Sequence, residues 1–215
     1  MKPQNNKNTF SGIAIVLSSY PAPSGKFIHY YTKDFGTISV LKRISSSKPS
    51  YTSAGSLFSI EKIEAKKYKD FYILQHSEII KSFTYVNSIL HMYICSIFSE
   101  IIEKDFKEPE PIIFYNLFNL LSKYEEKNNF FAFYLFIVLI LIRLSGWEAE
   151  IIQEQSNNVI AFLSKIKDIN KCSGIHIEKS VFRDSFINLL EYYQSARNER
   201  LKCYMILLKE LKKLG

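Results

Sequence analysis

Apolar and polar positions along this 215-residue chain change period once, near residue 82. Before that point, short runs rich in Ile, Val, Tyr and Phe alternate with turn residues, the pattern of strands. Gly12 to Leu17 (GIAIVL) predicts a first strand, closed by Tyr20-Pro21-Ala22-Pro23-Ser24-Gly25. Phe27 to Thr32 (FIHYYT) predicts a second, and Asp34-Phe35-Gly36 turns it into a third over Thr37 to Ile44. A polar loop runs from Ser45 to Ser53. Leu57 to Ala65 and Phe71 to Ile79 then alternate with period two, joined by Lys66-Lys67-Tyr68-Lys69-Asp70. Five strands in about 80 residues suit a small closed barrel, because closure removes exposed sheet edges. Strand count alone leaves OB-like and SH3-like barrels both open.

After Ser82 the period is helical. Tyr85, Ile89, Met92, Tyr93, Ser96, Ile97 and Ile101 predict one face of a helix ending near Lys104. Pro109 and Pro111 break it, and Ile112 to Tyr124 predicts the next through Phe114, Leu117, Leu120 and Leu121. Phe130 to Ile142 (FFAFYLFIVLILI) is 13 apolar residues without a charge. A spanning helix needs about 20, and Arg143 stops this one short. A helix apolar all round is expected to be the buried centre of a bundle. Val159 to Ile166 reads as a short helix or a strand. Two final helices are expected, Ser180 to Ala196 (capped by Ser180 or Glu178) and Glu199 to Leu214. The fold class expected is therefore α+β: a five-stranded OB-like barrel over residues 1–81, then an all-helical domain over 82–215.

Charge sharpens this division. The chain has a net charge of +7, and residues 1–81 hold 12 Lys+Arg against five Asp+Glu, an excess equal to that whole net charge. Residues 82–215 hold 16 of each sign. Such segregation points to a polyanion, since each Lys or Arg that reaches a phosphate releases a counterion. Single-strand binders add aromatic rings on which bases stack. Lys26, Lys33, Lys42, Arg43 and Lys48, interleaved with Tyr31 and Tyr51, are the candidate nucleic-acid contacts. On an alternating strand one of Tyr30 and Tyr31 must face inward.

Other classes find little support. Cys95, Cys172 and Cys203 are too few and scattered for a disulfide framework, and no leader pattern opens the chain, so a reducing cytosol is expected. His29, His76, His91 and His176 show no paired metal spacing. There is no Gly-rich loop before a Lys-Ser/Thr pair and no G-x-S-x-G elbow, so a non-catalytic protein without cofactor is expected.

The order of GIAIVL, FIHYYTKDFGTISVLKR, SAGSLFSIEKIEAKK and LQHSEIIKSF resembles the N-terminal half of the DNA repair protein RecO family. Thr32-Lys33-Asp34-Phe35-Gly36 matches its T-x-[ED]-x-G, and Gly55-Ser56-Leu57-Phe58 its L-x-P-F-like strand start. Phe133 to Trp147 resembles the family's apolar helix ending in L-G-[YF], and Leu201-Lys202-Cys203 the start of its last helix. The resemblance is weakest from Glu148 to Ser180. It implies a cytoplasmic, nucleoid-associated recombination mediator that binds single- and double-stranded DNA and anneals complementary strands. It also implies RecR and single-strand-binding protein as partners, with RecA loading as the outcome. The acidic, apolar tail of the binding protein would meet the helical domain, where Arg143, Arg183, Arg197 and Arg200 are candidates. Many members carry a four-cysteine zinc site. Here its first pair would fall on Glu154 and Asn157, and Cys172 alone remains of the second, so the region 148–180 is expected to hold no metal. A rival reading from another class is an interaction scaffold whose basic barrel binds RNA or a ribosomal surface.

Overall fold

The first strand runs further than its apolar run, because a bulge lets one long strand serve two partners. β1 spans Thr9–Ala22. Its first half pairs with β4 (Ile60–Tyr68) from Thr9 to Ile15, and its second half pairs with β2 (Gly25–Thr32) from Ala14 to Ala22. The register shifts between Val16 and Ser18, which bends the strand around the corner of a small barrel. β3 (Gly36–Arg43) pairs antiparallel with β2 and parallel with β5 (Phe71–Lys81), and β5 returns to β4. The ring closes in the order β1-β2-β3-β5-β4. This computed structural model describes residues 8–43, 55–82, 89–122, 130–147, 158–172 and 174–214. The fold is α+β, as the change of period predicts.

Alternation assigns the two faces of the barrel. Phe10, Ala14, Val16, Ile28, Tyr30, Ile38, Val40, Ile63 and Ala65 form the interior, with Tyr72 and Leu74 packed on them. Glu61 stands in the same inward row of β4 and is fully buried. Its carboxylate accepts from the Tyr30 hydroxyl at 2.7 Å, the Gly55 N–H at 2.7 Å and the Ser59 hydroxyl at 2.8 Å. Three donors offset the desolvation of one buried charge. They also fasten residues 55–59 to the wall, where Phe58 N–H donates to Val16 and Val16 N–H donates to Ser59.

Two turns explain sequence signals. Thr32 is buried, accepts from the Phe35 N–H at 3.1 Å and donates to the Gly36 carbonyl at 3.1 Å. Gly36 has φ +64, and a Cβ there would meet the Lys107 carbonyl at 2.2 Å. The T-x-[ED]-x-G pattern is thus a turn that only glycine fits. At the far end, Tyr68 pairs with Phe71, so Lys69-Asp70 is a two-residue hairpin turn with Lys69 at φ 54.

The chain divides into two compact units, Met1–Tyr85 with Ile102–Leu121, and Val86–Ile101 with Ser122–Gly215. This departs from the expected cut after residue 81. Residues 102–121 go with the barrel because Thr37 N–H donates to the Lys107 carbonyl, Thr37 Oγ1 donates to the Phe106 carbonyl, and Tyr31 binds Glu110. The first unit then holds 14 Lys+Arg against nine Asp+Glu, and the second 14 against 12. Charge is less segregated between folded units than along the chain.

The helices are α1 (Ile89–Asp105), α2 (Pro111–Ser122), α3 (Phe131–Leu144), α4 (Asn158–Leu163), α5 (Lys179–Arg197) and α6 (Tyr204–Leu211). Pro111 sits at the first position of α2, where its missing N–H costs nothing. In the second unit α3 is buried almost all round, as its composition predicts. Its rings meet α5, with Phe131 stacked on Phe182 at 4.3 Å. No helix among the described residues is long and apolar enough to cross a membrane.

Two helical expectations need correction. In α1 the buried apolar positions are Leu90, Ile94, Cys95, Ile97, Phe98, Ile101 and Ile102, whereas Ile89 and Met92 are exposed. Apolar residues all round the segment allowed a stripe one position out of phase. The last helix begins at Tyr204 and not near Glu199. Left-handed Asn198 closes α5, the Glu199 N–H returns to the Gln194 carbonyl, and two later N–H groups are bound by side chains: Leu201 by Gln194 at 2.9 Å, Lys202 by Glu100. Glu178 occupies the N-cap position of α5 without a side-chain bond to the helix.

Candidate nucleic-acid interface

The outward faces of the strands carry a continuous series of rings. Outward positions on β1 and β2 place Tyr20 directly across from Phe27, and their rings stack with centroids 5.7 Å apart. Phe27 meets Phe71 of β5 edge-on at 5.3 Å, and Phe71 meets Tyr68 of β4 at 5.4 Å. On the other side Tyr20 meets His29 edge-on at 5.3 Å. Five rings from four strands therefore cross one side of the barrel. Tyr20 is 45% exposed and Tyr68 48%, and Phe27, Phe71 and His29 are half-buried. The half-buried rings fix the geometry while the exposed ones offer faces to a base.

Positive charge borders the series. Lys66, Lys67 and Lys69 surround Tyr68 at the β4–β5 turn, all exposed, with the Lys69 ammonium 5.8 Å from the Tyr68 ring centre. Arg43 is exposed at the end of β3, opposite Gly25 and two residues along from the Phe27 partner Leu41. Gly25 allows the close approach there, since a Cβ would meet the Lys42 carbonyl at 2.0 Å. At the His29 end, Nδ1 lies 3.0 Å from Glu103, which also accepts from Ser18 at 2.5 Å, while Nε2 lies 3.4 Å from the Tyr20 hydroxyl. Ser18 is bonded to the carboxylate and not to the imidazole, so this is an anchored histidine, not a nucleophile with its base.

The residues expected from sequence distribute unevenly. Arg43 joins this surface. Lys26 and Lys42 are cross-strand partners on the inward row of β2 and β3, part-buried at the end of the barrel near Glu61. Burial and Lys26 hold Lys42 below the usual lysine range, and Glu61 acts the other way. Lys33 is exposed at the opposite turn, its ammonium 4.9 Å over the Tyr115 ring. Lys48 and Tyr51 lie outside the described residues. Tyr31 is corrected outright: it is fully buried, and its hydroxyl accepts from Glu110 N–H at 3.0 Å. Burial pushes it up to about 12 and leaves no face for a base. Both Tyr30 and Tyr31 are buried because the outward side of β2 is also covered at that point.

The four candidate partner arginines do not form one site. Arg183 and Arg197 are 14 residues apart on α5, about 21 Å along the helix. Arg143 donates to the Ser164 carbonyl at 2.8 Å beyond the end of α4, and Arg183 to Asp184 at 2.8 Å. Arg197 lies 6.0 Å over Tyr193. Arg200 borders a cavity of about 610 Å³ that also carries Glu191 and Glu199, an unfavourable setting for an acidic tail. Cys172 is buried in the short turn Ile169–Cys172, and burial pushes its thiol up to about 12. Glu154 and Asn157 lie outside the described residues.

Sequence reasoning missed Tyr20, Phe27, Tyr68, Phe71 and the lysines around Tyr68. The run Lys66-Lys67-Tyr68-Lys69 held the usable signal, an aromatic among cations at a turn. No protein-family model matches this chain, and a search of curated proteins returns no match.

Proposed function

We propose that the barrel binds single-stranded nucleic acid across the ring series, as the DNA-contacting part of a RecO-type recombination mediator. The observation that carries the reading is five contiguous rings on one outer face beside the three exposed lysines of the β4–β5 turn. The strand order, with β3 parallel to β5, supports an OB-like barrel over an SH3-like one. In OB-folds the β2–β3 face and the first and fourth connecting loops take oligonucleotides. The ring series lies on that side, between the Ala22–Gly25 and Tyr68–Phe71 turns.

The mechanism is non-catalytic. Rings hold unstacked bases, lysines offset phosphate repulsion, and base pairing between two held strands supplies the recognition. Annealing activity and partnership with RecR and single-strand-binding protein rest on the family resemblance. Anisotropy with a 15-mer of deoxythymidine tests the contact. Tyr20→Ala with Tyr68→Ala should weaken binding by at least about 1 kcal/mol. Lys66→Ala, Lys67→Ala and Lys69→Gly together should flatten the salt slope by about 2. The mediator reading then requires annealing of complementary strands coated by single-strand-binding protein. Binding without annealing would favour the RNA-scaffold alternative.

A further inference from the structure

In the same unit, the β2–β3 turn, the start of β1 and α2 enclose a cavity of about 390 Å³. Phe10, Phe35, Phe114, Tyr115 and Phe118 supply most of its wall. Phe35 stands edge-on to Phe10 at 5.5 Å, and Phe114 is stacked with Phe118 at 6.1 Å. Phe35 is 38% exposed and Tyr115 48%, so the wall is open to a ligand. Its volume falls in the range of small-molecule pockets, which pair apolar walls with few polar groups. Here those groups are Lys33, whose ammonium lies on the Tyr115 ring, with Asp34 and Ser11 at the rim.

The charge around it limits the occupant. Lys33 offers one cation, and Asp34 stands beside it. Across from the cavity-lining stretch of β1, Lys62 faces Ile13 and Glu64 faces Ser11, one charge of each sign, and the Lys107–Glu108 backbone packs on Gly36. One anionic group can sit at Lys33, the single cation of the wall. We propose that this cavity binds a small planar aromatic ligand bearing a single anionic group, its ring between the aromatic walls and its anion at Lys33. The site is separate from the ring series and does not depend on nucleic-acid binding.

Ile13, exposed and on the cavity wall, provides the reporter through its labelled methyl group. The full chain is titrated with indole-3-acetate, benzoate and thymidine 5′-monophosphate, each beside its uncharged counterpart, and with the 15-mer of deoxythymidine. A saturable shift of the Ile13 methyl with at least one small anion is expected. Lys33→Gln should weaken that anion about tenfold while leaving the uncharged counterpart unchanged. Ser11→Trp, at an exposed rim position, should block every ligand. The inference is overturned if no small anion moves the methyl, or if Lys33→Gln leaves the anion's affinity unaltered. A shift with the 15-mer alone also overturns it, by assigning the cavity to the polynucleotide.

Discussion

Glu61→Ala is the perturbation that best tests how the barrel holds together. The wild-type carboxylate is fully buried and accepts from Tyr30 at 2.7 Å, Gly55 at 2.7 Å and Ser59 at 2.8 Å. The Ser59 hydroxyl can turn to the Ser56 carbonyl at 2.8 Å, so its loss is small. The Tyr30 hydroxyl and the Gly55 N–H keep no such alternative among the described bonds. Two orphaned buried donors at about 1–3 kcal/mol each give a loss of about 2–6 kcal/mol. Lys42 adds to it, because Glu61 is the charge that favours its protonated form. Tyr30→Phe should cost less, since it removes donor and hydroxyl together. The double variant should then be milder than the sum, with a coupling of about 1–3 kcal/mol. Trp147 belongs to the other unit, so its fluorescence is the wrong probe. Hydrogen exchange at β1 and β4 amides across a urea series reads the barrel directly. A loss below about 1 kcal/mol for Glu61→Ala would refute the account, because it would mean the carboxylate is not what fastens residues 55–59.

Three further outcomes follow from single positions. Gly36→Ala must place a Cβ 2.2 Å from the Lys107 carbonyl at φ +64, so the turn or the 107–108 backbone must move, at about 3 kcal/mol or more in the same exchange experiment. Lys69→Gly relieves a left-handed backbone at φ 54 and should raise barrel stability by about 1 kcal/mol, a gain that urea unfolding would register or deny. Burial holds His91 below the usual histidine value, so the unfolded chain protonates first as pH falls. Its stabilising contribution is whole above about pH 6.5 and is lost below it, by up to about 1.4 kcal/mol per pH unit. His91→Gln should make stability at pH 5 and 7.5 more alike than in wild type, and an unaltered difference counts against the assignment.

Strands and helices were legible where a period had one solution. Period two located β2 to β5 within a few residues, because each has one face in the barrel interior. β1 was read short, since Ser18-Ser19-Tyr20-Pro21 looks like a turn and the bulge at Leu17 breaks the alternation. The same bulge is what lets the strand reach both neighbours. Tyr31 misled for a related reason: alternation tells inside from outside, but not which part of the outside another segment covers. Glu110, 79 residues away, covers Tyr31. The ring series was invisible because its members come from separate strands, and each alone reads as ordinary strand composition.

Net charge located the barrel but not the surface on it. Along the chain the excess of +7 sits in residues 1–81. Folding returns Ile102–Leu121, with its four acids, to that unit. Of those acids Glu103 binds Ser18 and His29 through its carboxylate, whereas Glu110 meets Tyr31 and Glu108 meets Gly36 through their backbones. The β4–β5 turn has three exposed lysines against Asp70 alone. A phosphate chain is drawn to that turn, where Tyr68, Phe71, Phe27 and Tyr20 supply stacking faces. The cavity wall holds a different balance: Lys33 is its one cation, with Asp34 beside it, so it suits a single anionic group.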